Sequence, residues 1–239
     1  MAAYACSDLH GCLNFYKAIK NFIKPEDTVY FLGDAGDRGP QPWETIKTIA
    51  KDSQFIYLKG NHEDMLAKAL DDCLNKDYMG GYRLLVNNGG AQTFDQAMQE
   101  EDPKGWMEWL HNLPVYKKYI NQQGEIILLS HAGFTPWVNH HNLSVVIPTE
   151  RDLIWDRTHY YEDCNEEDWG NIICVHGHTP IPYLWEDLCV PEEHQEVGAF
   201  WYADGHKVDI DTGAVWTDYC VLINLDTWEE HIFEVEKND

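Results

Sequence analysis

Five short stretches of this 239-residue chain carry the residue types that hold divalent cations and move protons. They are Asp8-Leu9-His10-Gly11, Gly33-Asp34-Ala35-Gly36-Asp37-Arg38-Gly39, Gly60-Asn61-His62-Glu63, Ser130-His131-Ala132-Gly133 and His176-Gly177-His178-Thr179-Pro180. Residues two apart on an extended segment project to one side, so Asp8 and His10 make a half-site for a divalent metal. The glycines around Asp34, Asp37 and Arg38 suit a backbone bent tightly about a charged centre. Asn61 offers an amide oxygen for a metal beside His62, an imidazole able to move protons, while Glu63 suits the start of a helix. Each stretch alone has a plainer reading, as a capped turn, a Gly-Asp turn or a packing histidine. Their succession outweighs it, because all five end predicted strands and each offers Asp, Asn or His.

The elements that must position these residues follow from periodicity. A strand at Tyr4–Cys6 precedes a helix with Leu13, Tyr16, Ile19 and Ile23 on one face; a strand at Thr28–Leu32 precedes a helix after Pro40 with Trp43, Ile46 and Ala50 together; a third strand covers Phe55–Leu58. This alternation predicts an α/β core with its functional loops at the carboxyl ends of strands. From about 63 to 113 the spacing of Met65, Leu66, Ala69, Leu70 and Cys73 predicts a helical insert, broken at Gly80-Gly81 and Gly89-Gly90. Val115–Ile120 and Glu125–Leu129 flank a hairpin turn at Asn121–Gly124, and further strands are expected at Ile172–Val175, Val208–Ile210, Tyr219–Leu225 and His231–Val235. Segments 138–170 and 182–206 read as long acidic loops rich in Trp and Tyr. No internal repeat or linker composition interrupts the chain, so residues 1–239 are expected to form one domain.

A net charge of -24 argues against nucleic acid as a partner, since affinity for a phosphate backbone comes from Lys and Arg. Only four arginines occur, Arg38, Arg83, Arg151 and Arg157. No apolar run is long enough to cross a bilayer and no charged leader precedes Tyr4, which predicts a cytoplasmic protein with no membrane partner. The seven cysteines are scattered without a CxxC pair and read as reduced packing residues.

In order and spacing the motifs resemble the calcineurin-like metallophosphoesterases of the phosphoprotein phosphatase type, in particular the small bacterial and bacteriophage serine/threonine phosphatases. The resemblance runs from about Asp8 to Val215 and includes Asn88-Gly89-Gly90, Leu153-Ile154-Trp155-Asp156-Arg157 and Asp211-Thr212-Gly213-Ala214-Val215. Two departures stand out. Ser7 replaces a glycine, and Gly36 stands where the family has valine, a change expected to loosen the second loop. The family implies a β-sandwich flanked by helices in α-β-β-α layers. It also implies two divalent metals, one held by Asp8, His10 and Asp34, the other by Asp34, Asn61, His131 and His178, with a bridging water as nucleophile. Arg38, Arg157 and Asn61 are then the phosphate contacts, His62 the proton donor and Asp37 the group that orients it. The donor set of carboxylate, amide and imidazole suits manganese first, with iron or zinc as alternatives. His176 is expected to support rather than ligate, and His140, His141, His159, His194 and His206 receive no role.

The leading function implied is hydrolysis of phosphoserine and phosphothreonine in proteins, or of small phosphomonoesters. A dinucleoside polyphosphate (diadenosine tetraphosphate) hydrolase is the alternative, because related sites cleave pyrophosphate bonds and the aromatic-rich loops offer surfaces that stack an adenine. A catalytically silent metal-binding scaffold is a third reading, which the complete set of ligands and His62 disfavours. The oligomeric state is not legible.

Overall fold

The computed structural model describes residues 1–76, 79–134, 137–139, 144–146, 148–162 and 169–235. His140, His141 and Cys164 lie outside the described residues. Three parallel strands, β1 (Ala3–Cys6), β2 (Thr28–Phe31) and β3 (Phe55–Tyr57), are joined by helices α1 (Leu13–Phe22) and α2 (Pro42–Lys51), as the alternation predicts. Helix α3 (Asn61–Asp71) then leads into a π-helical turn, Asp72–Lys76, and the rest of the insert, α4 (Gly80–Asn87), α5 (Ala91–Met98) and α6 (Pro103–His111). The second sheet begins with the hairpin of β4 (Tyr116–Ile120) and β5 (Ile126–Ser130), paired Ile120 to Ile126. A small ribbon of β6 (Trp137–Asn139) and β7 (Ser144–Val146) stands apart from both sheets.

After helix α7 (Glu150–Trp155) come β8 (Ile172–His176), α8 (Ile181–Asp187), β9 (Phe200–Tyr202), β10 (Lys207–Asp209), the one-turn helix α9 (Ala214–Thr217), β11 (Tyr219–Asn224) and β12 (Glu230–Glu234). The first sheet runs β12-β11-β1-β2-β3 and the second β4-β5-β8-β10-β9. Within the second, β5, β8 and β10 are parallel, mirroring the parallel trio of the first.

The two-residue period sorts side chains into layers. Ala3 and Ala5 of β1 face a cluster with Ile127, Leu129, Val175, Val208, Val221 and Ile223, which is the interior between the sheets. Tyr4 and Cys6 point the other way, onto a cluster with Phe15, Ile19, Ile46, Ile49, Met65 and Leu66 from the helices. Leu128 and Cys174 pack outward against Phe134, Leu153, Ile154 and Trp169. Strands covered on both faces read as nearly continuous apolar runs, and Ile127-Leu128-Leu129 is such a run. The outcome is the expected α-β-β-α arrangement. The edge strand β4 is mostly exposed and carries Lys117 and Lys118, charges that discourage edge-to-edge association.

The stretches expected as long loops hold more structure than periodicity indicates. Segment 138–170 includes α7, opened by a reciprocal capping box in which Thr149 and Asp152 serve each other's backbone, and segment 182–206 includes most of α8 and the edge strand β9. These elements span too few turns to establish a period. Cys189 is exposed, whereas Cys73, though half-buried, packs against the helix-covered core, so the packing role expected of the cysteines applies to Cys6, Cys12, Cys73, Cys174 and Cys220. Among the described residues no helix is long and apolar enough to cross a membrane.

Two glycines with left-handed backbone test how tightly the sheet ends are joined. A Cβ on Gly33 (φ +99°) would lie 2.4 Å from the Gly60 nitrogen, whereas one on Gly124 (φ +82°) in the hairpin turn would meet nothing within 4 Å. Gly33→Ala is therefore expected to lower stability by about 3 kcal/mol or more, from backbone strain and a backbone clash together. Gly124→Ala should cost only about 1 kcal/mol, the strain alone. Chemical denaturation of the two variants provides the comparison; equal losses would mean that Gly33 and Gly60 are not in close contact.

Candidate active site

The five motif loops leave the carboxyl ends of β1, β2, β3, β5 and β8, and the two sheets bring those ends together, with His131 reaching Asn61 and His178 reaching Asp8. Asp8, His10, Asp34, Asp37, Arg38 and His178 all have φ between +40° and +74°. Left-handed backbone costs a residue with a side chain about 1–3 kcal/mol and persists where its surroundings over-determine it. Those surroundings are a lattice of main-chain bonds. Asp8 N–H donates to Gly33 O (3.1 Å), His10 N–H to Asp34 O (3.0 Å), Gly11 N–H to Ala35 O (2.7 Å) and Gly177 N–H to His131 O (2.8 Å).

Glu63 ties the second and third loops together. Its buried carboxylate accepts from the backbone N–H groups of Asp34 (2.8 Å), Ala35 (2.9 Å) and Gly60 (2.9 Å) and from the Tyr57 hydroxyl (2.7 Å). The expected place at the start of α3 is correct, through the bond to Gly60, but three more donors from other positions converge on it. Burial and the neighbouring Asp34 charge push Glu63 above the ordinary carboxylate range, and these donors act in the opposite direction.

Asp34 is the centre of the cluster. Its Oδ1 accepts from His62 N–H (3.0 Å), and its Oδ2 lies 3.7 Å from His10 Nε2, 3.8 Å from His62 Nε2 and 3.5 Å from His131 Nε2. Burial alone would raise its pKa, but His131 and His62 hold it well below the carboxylate range. Two groups of ligand atoms share it: those of His10, Asp34 and His62, and those of Asp34, His131 and His178, each group lying within 4.8 Å. Asn61 Oδ1 joins the second, 2.9 Å from His131 Nε2 and 3.1 Å from His178 Nδ1. Asp8 borders the first, with Oδ1 3.8 Å from His10 Nε2.

These residues fit divalent metals. Asp8 Oδ1 is buried with no hydrogen-bond partner, an arrangement that a cation would satisfy. His10 donates from Nδ1 to Gly36 O (2.9 Å) and His131 from Nδ1 to Leu32 O (2.9 Å), which aims both Nε2 atoms at Asp34. Burial and the charge of His62 lower the pKa of His10, whereas Asp34 and Asp8 overcome burial and raise that of His131 to about 9. Burial first, and then the charge of His131, lower the pKa of His178.

The two predicted arginines flank the cluster. Arg38 donates to His10 Nε2 (2.7 Å) and His62 Nε2 (2.9 Å), while Arg157 donates from Nε to His178 Nε2 (3.2 Å). His62 donates from Nδ1 to Asp37 Oδ2 (2.5 Å). Burial pulls its pKa down, but Asp34 and the bond and charge of Asp37 outweigh that and raise it.

Both departures from the family pattern acquire a physical meaning. The Ser7 hydroxyl donates to Asp8 Oδ2, and a Cβ on the facing Gly177 would lie 2.2 Å from that oxygen. Gly36 does not loosen its loop as expected: it is buried, its carbonyl fixes His10, and a Cβ there would lie 2.6 Å from Ile46 Cδ1. His176 stands behind the ligands, accepting from the Tyr202 hydroxyl at Nε2 (2.6 Å) and donating from Nδ1 to Gly177 O (3.0 Å), with burial lowering its pKa to about 3.

Thr93 and Asp209 carried no sequence signal of their own, and Asp211 entered only through the block Asp211–Val215. The Thr93 hydroxyl donates to Asp37 Oδ1 and receives Asp37 N–H (3.2 Å), so the insert supports the His62–Asp37 pair. The available signal was the adjacent Asn88-Gly89-Gly90 turn, which lies against Arg38 and Asp37. Asp209 Oδ1 accepts Asp211 N–H (2.8 Å) at the end of β10, and burial raises both carboxyls well above their usual range.

Residues 1–210 match the calcineurin-like phosphoesterase family. The bis(5'-nucleosyl)-tetraphosphatase, symmetrical, of Delftia acidovorans is 27% identical over 140 residues, covering 57% of this chain and 46% of that protein. In such matches the chain spans about half the length of the curated relatives. The protein of the same description from Pseudomonas fluorescens is 27% identical over 286 residues, covering 99% of this chain and 95% of its own. Among solved structures, the metallophosphoesterase from Sphaerobacter thermophilus gives a TM-score of 0.57 at 18% identity, covering 99% of this chain and 89% of that one, a likeness of fold.

Removing the Glu63 carboxylate leaves buried donors unsatisfied at about 1–3 kcal/mol each. Glu63→Ala should therefore lower stability by about 3–5 kcal/mol and reduce bound metal, with Glu63→Gln intermediate because it keeps one acceptor oxygen. Denaturant midpoints and metal content by mass spectrometry measure both effects. A loss below about 1 kcal/mol would limit Glu63 to an ordinary helix cap.

Proposed function

Because the chain belongs to the calcineurin-like phosphoesterase family, we propose that it is a metal-dependent hydrolase of dinucleoside polyphosphates, with diadenosine tetraphosphate as the representative substrate. The observation that carries this reading is the Pseudomonas fluorescens bis(5'-nucleosyl)-tetraphosphatase, which aligns with 99% of this chain and 95% of its own length. It reverses the order of the two substrate readings reached from sequence. Within the segment Leu153 to Arg157, which carries part of the resemblance to phosphoprotein phosphatases, Leu153 and Ile154 are buried packing residues, Arg157 stands on His178, and Trp155 lines a cleft that bears on substrate.

In the reaction, the oxygen of water bonds to phosphorus and the bond to a bridging oxygen breaks, releasing a nucleoside phosphate. Divalent metals held by Asp8, His10, Asp34, Asn61, His131 and His178 supply charge stabilisation and an acidified water when bound, manganese being first choice for this donor set. Arg38 and Arg157, on opposite flanks of the cluster, grip phosphate oxygens with planar pairs of donors. Asn61 adds a contact from the start of α3. With Arg38 drawn onto phosphate, His62 Nε2 is released from its bond to the guanidinium and can carry the proton it delivers to the departing oxygen, while Asp37 and Thr93 orient the ring.

A second reading, the phosphoserine or phosphothreonine phosphatase, is supported by a cleft of about 700 Å³ lined in part by Lys59, Lys68, Arg151 and Trp155. Asn61, Asp64 and Lys68 follow one stripe of α3, so the cleft leads away from the cluster and offers room for the residues that flank a phosphorylated side chain.

Hydrolysis of diadenosine tetraphosphate, a phosphothreonine peptide and a phosphotyrosine peptide by manganese-loaded protein separates the readings. The dinucleotide should show the highest kcat/KM, and chelation should abolish turnover. A tenfold preference for the phosphothreonine peptide would transfer the assignment to the second reading, and no hydrolysis of any would leave the scaffold. His62→Asn adds a chemical criterion. An alkoxide leaving group depends on the donated proton, whereas a departing phosphate is stable as an anion, its second pKa being about 6. The variant should lose about 100-fold or more on the peptide and less on the dinucleotide, while retaining its metal. Parallel loss of metal and turnover would make His62 a ligand.

A further inference from the structure

Three tryptophans of segments 138–170 and 182–206 are committed to packing, whereas Tyr161 and Tyr183 are exposed: Trp169 is buried, Trp155 donates to Asp64 (3.2 Å), and Trp201 stacks edge-on with Trp228 at 5.0 Å. Trp216 lies outside both segments and differs. At 53% exposure it is the only exposed tryptophan among those whose burial is described. It stands on α9, a single turn bounded by left-handed Gly213 (φ 72°) and Asp218 (φ 65°), which forms an arch beyond the carboxyl end of β10. The arch is anchored from below. Asp211 Oδ1 accepts Gly213 N–H (2.9 Å), the Thr217 hydroxyl donates to Thr212 O (3.0 Å), and the Thr212 hydroxyl donates to Tyr219 O (2.6 Å).

The Arg38 guanidinium carbon lies 5.4 Å from the centre of the Trp216 ring, while the same guanidinium reaches His10 and His62. One cation thus connects the cluster to an aromatic surface in solvent. We propose that Trp216 is the platform on which a nucleobase of the substrate stacks, while Arg38 takes the adjoining phosphate. This assignment rests on the dinucleotide reading above and specifies how that substrate is selected. A flat π surface beside a phosphate-binding cation suits a ligand that joins a planar base to a phosphate chain, because stacking tolerates any base and the guanidinium fixes the register. A phosphoserine or phosphothreonine peptide has no planar group at that distance from its phosphate.

The test compares ligands that share the phosphate part and differ in the base. Equilibrium binding of ADP and of pyrophosphate to the manganese-loaded protein, by calorimetry, should show ADP favoured by about tenfold, the size of one base–aromatic stack. In Trp216→Ala that ratio should fall toward one, and in Trp216→Phe most of it should remain. If Trp216→Ala weakens both ligands equally, the indole acts only by positioning Arg38 and the platform is refuted; an unchanged ratio refutes it as well. The substrate reading has its own criterion, hydrolysis of diadenosine tetraphosphate by the unaltered protein. Base-dependent binding without that hydrolysis would sink the substrate reading and leave the platform standing.

Discussion

A buried aspartate on left-handed backbone, Asp34, is the point on which the arrangement depends. Its two oxygens face His10, His62 and His131, so one carboxylate addresses loops from both sheets. Concentrating negative charge there is unfavourable unless cations or hydrogen-bond donors surround it. The fold supplies part of this with imidazoles, and the Glu63 carboxylate holds the Asp34 main chain in place by accepting its N–H. Glu63 thus determines where Asp34 sits, and the ligand set determines what Asp34 can bind. The strained φ values at six candidate positions are the local consequence of making several short loops converge on one atom pair.

The candidate ligands were legible as a group because they occur where two strong sequence signals meet. Apolar runs such as Thr28–Leu32 give way abruptly to Gly33-Asp34, and the same change recurs after Cys6, Leu58, Ser130 and His176. The ends of the apolar runs fall close to the strand ends, which was enough to place the loops of Asp8, Asn61 and His131 at one edge of the sheets. What remained hidden depends on contacts between distant segments. Thr93 reaches Asp37 across 56 positions, and Glu63 reaches Asp34 across 29, and no local period reports either. Helix α7 and strand β9 were missed for a different reason, since each is shorter than two full repeats of any pattern that could identify it.

Charge gives the site a further property. The chain carries -24 overall, yet two of its four arginines, Arg38 and Arg157, contact the imidazoles of the cluster. A polyphosphate approaching such a surface meets general repulsion except where cations are concentrated. Placing guanidinium groups beside His10, His62 and His178 concentrates positive charge within an acidic protein, which on the proposed reading makes binding conditional on a phosphate that fits.

Chemistry and selection occupy different parts of the fold. The proposed ligands stand at or just beyond the ends of β1, β2, β3, β5 and β8, whose paired backbones leave little freedom to move. The groups proposed to choose the substrate stand on attachments: Trp216 on the α9 arch, and Arg151 and Trp155 on α7 beside the cleft. Changing an attachment need not disturb Asp34 or the lattice around it. The same hydrolytic centre is therefore compatible with a dinucleotide or a phosphopeptide, and the motifs that reveal the centre are silent on the choice between them. That choice lies in side chains such as Trp216, whose exposure next to Arg38 becomes visible only when β10 and the second loop are placed side by side.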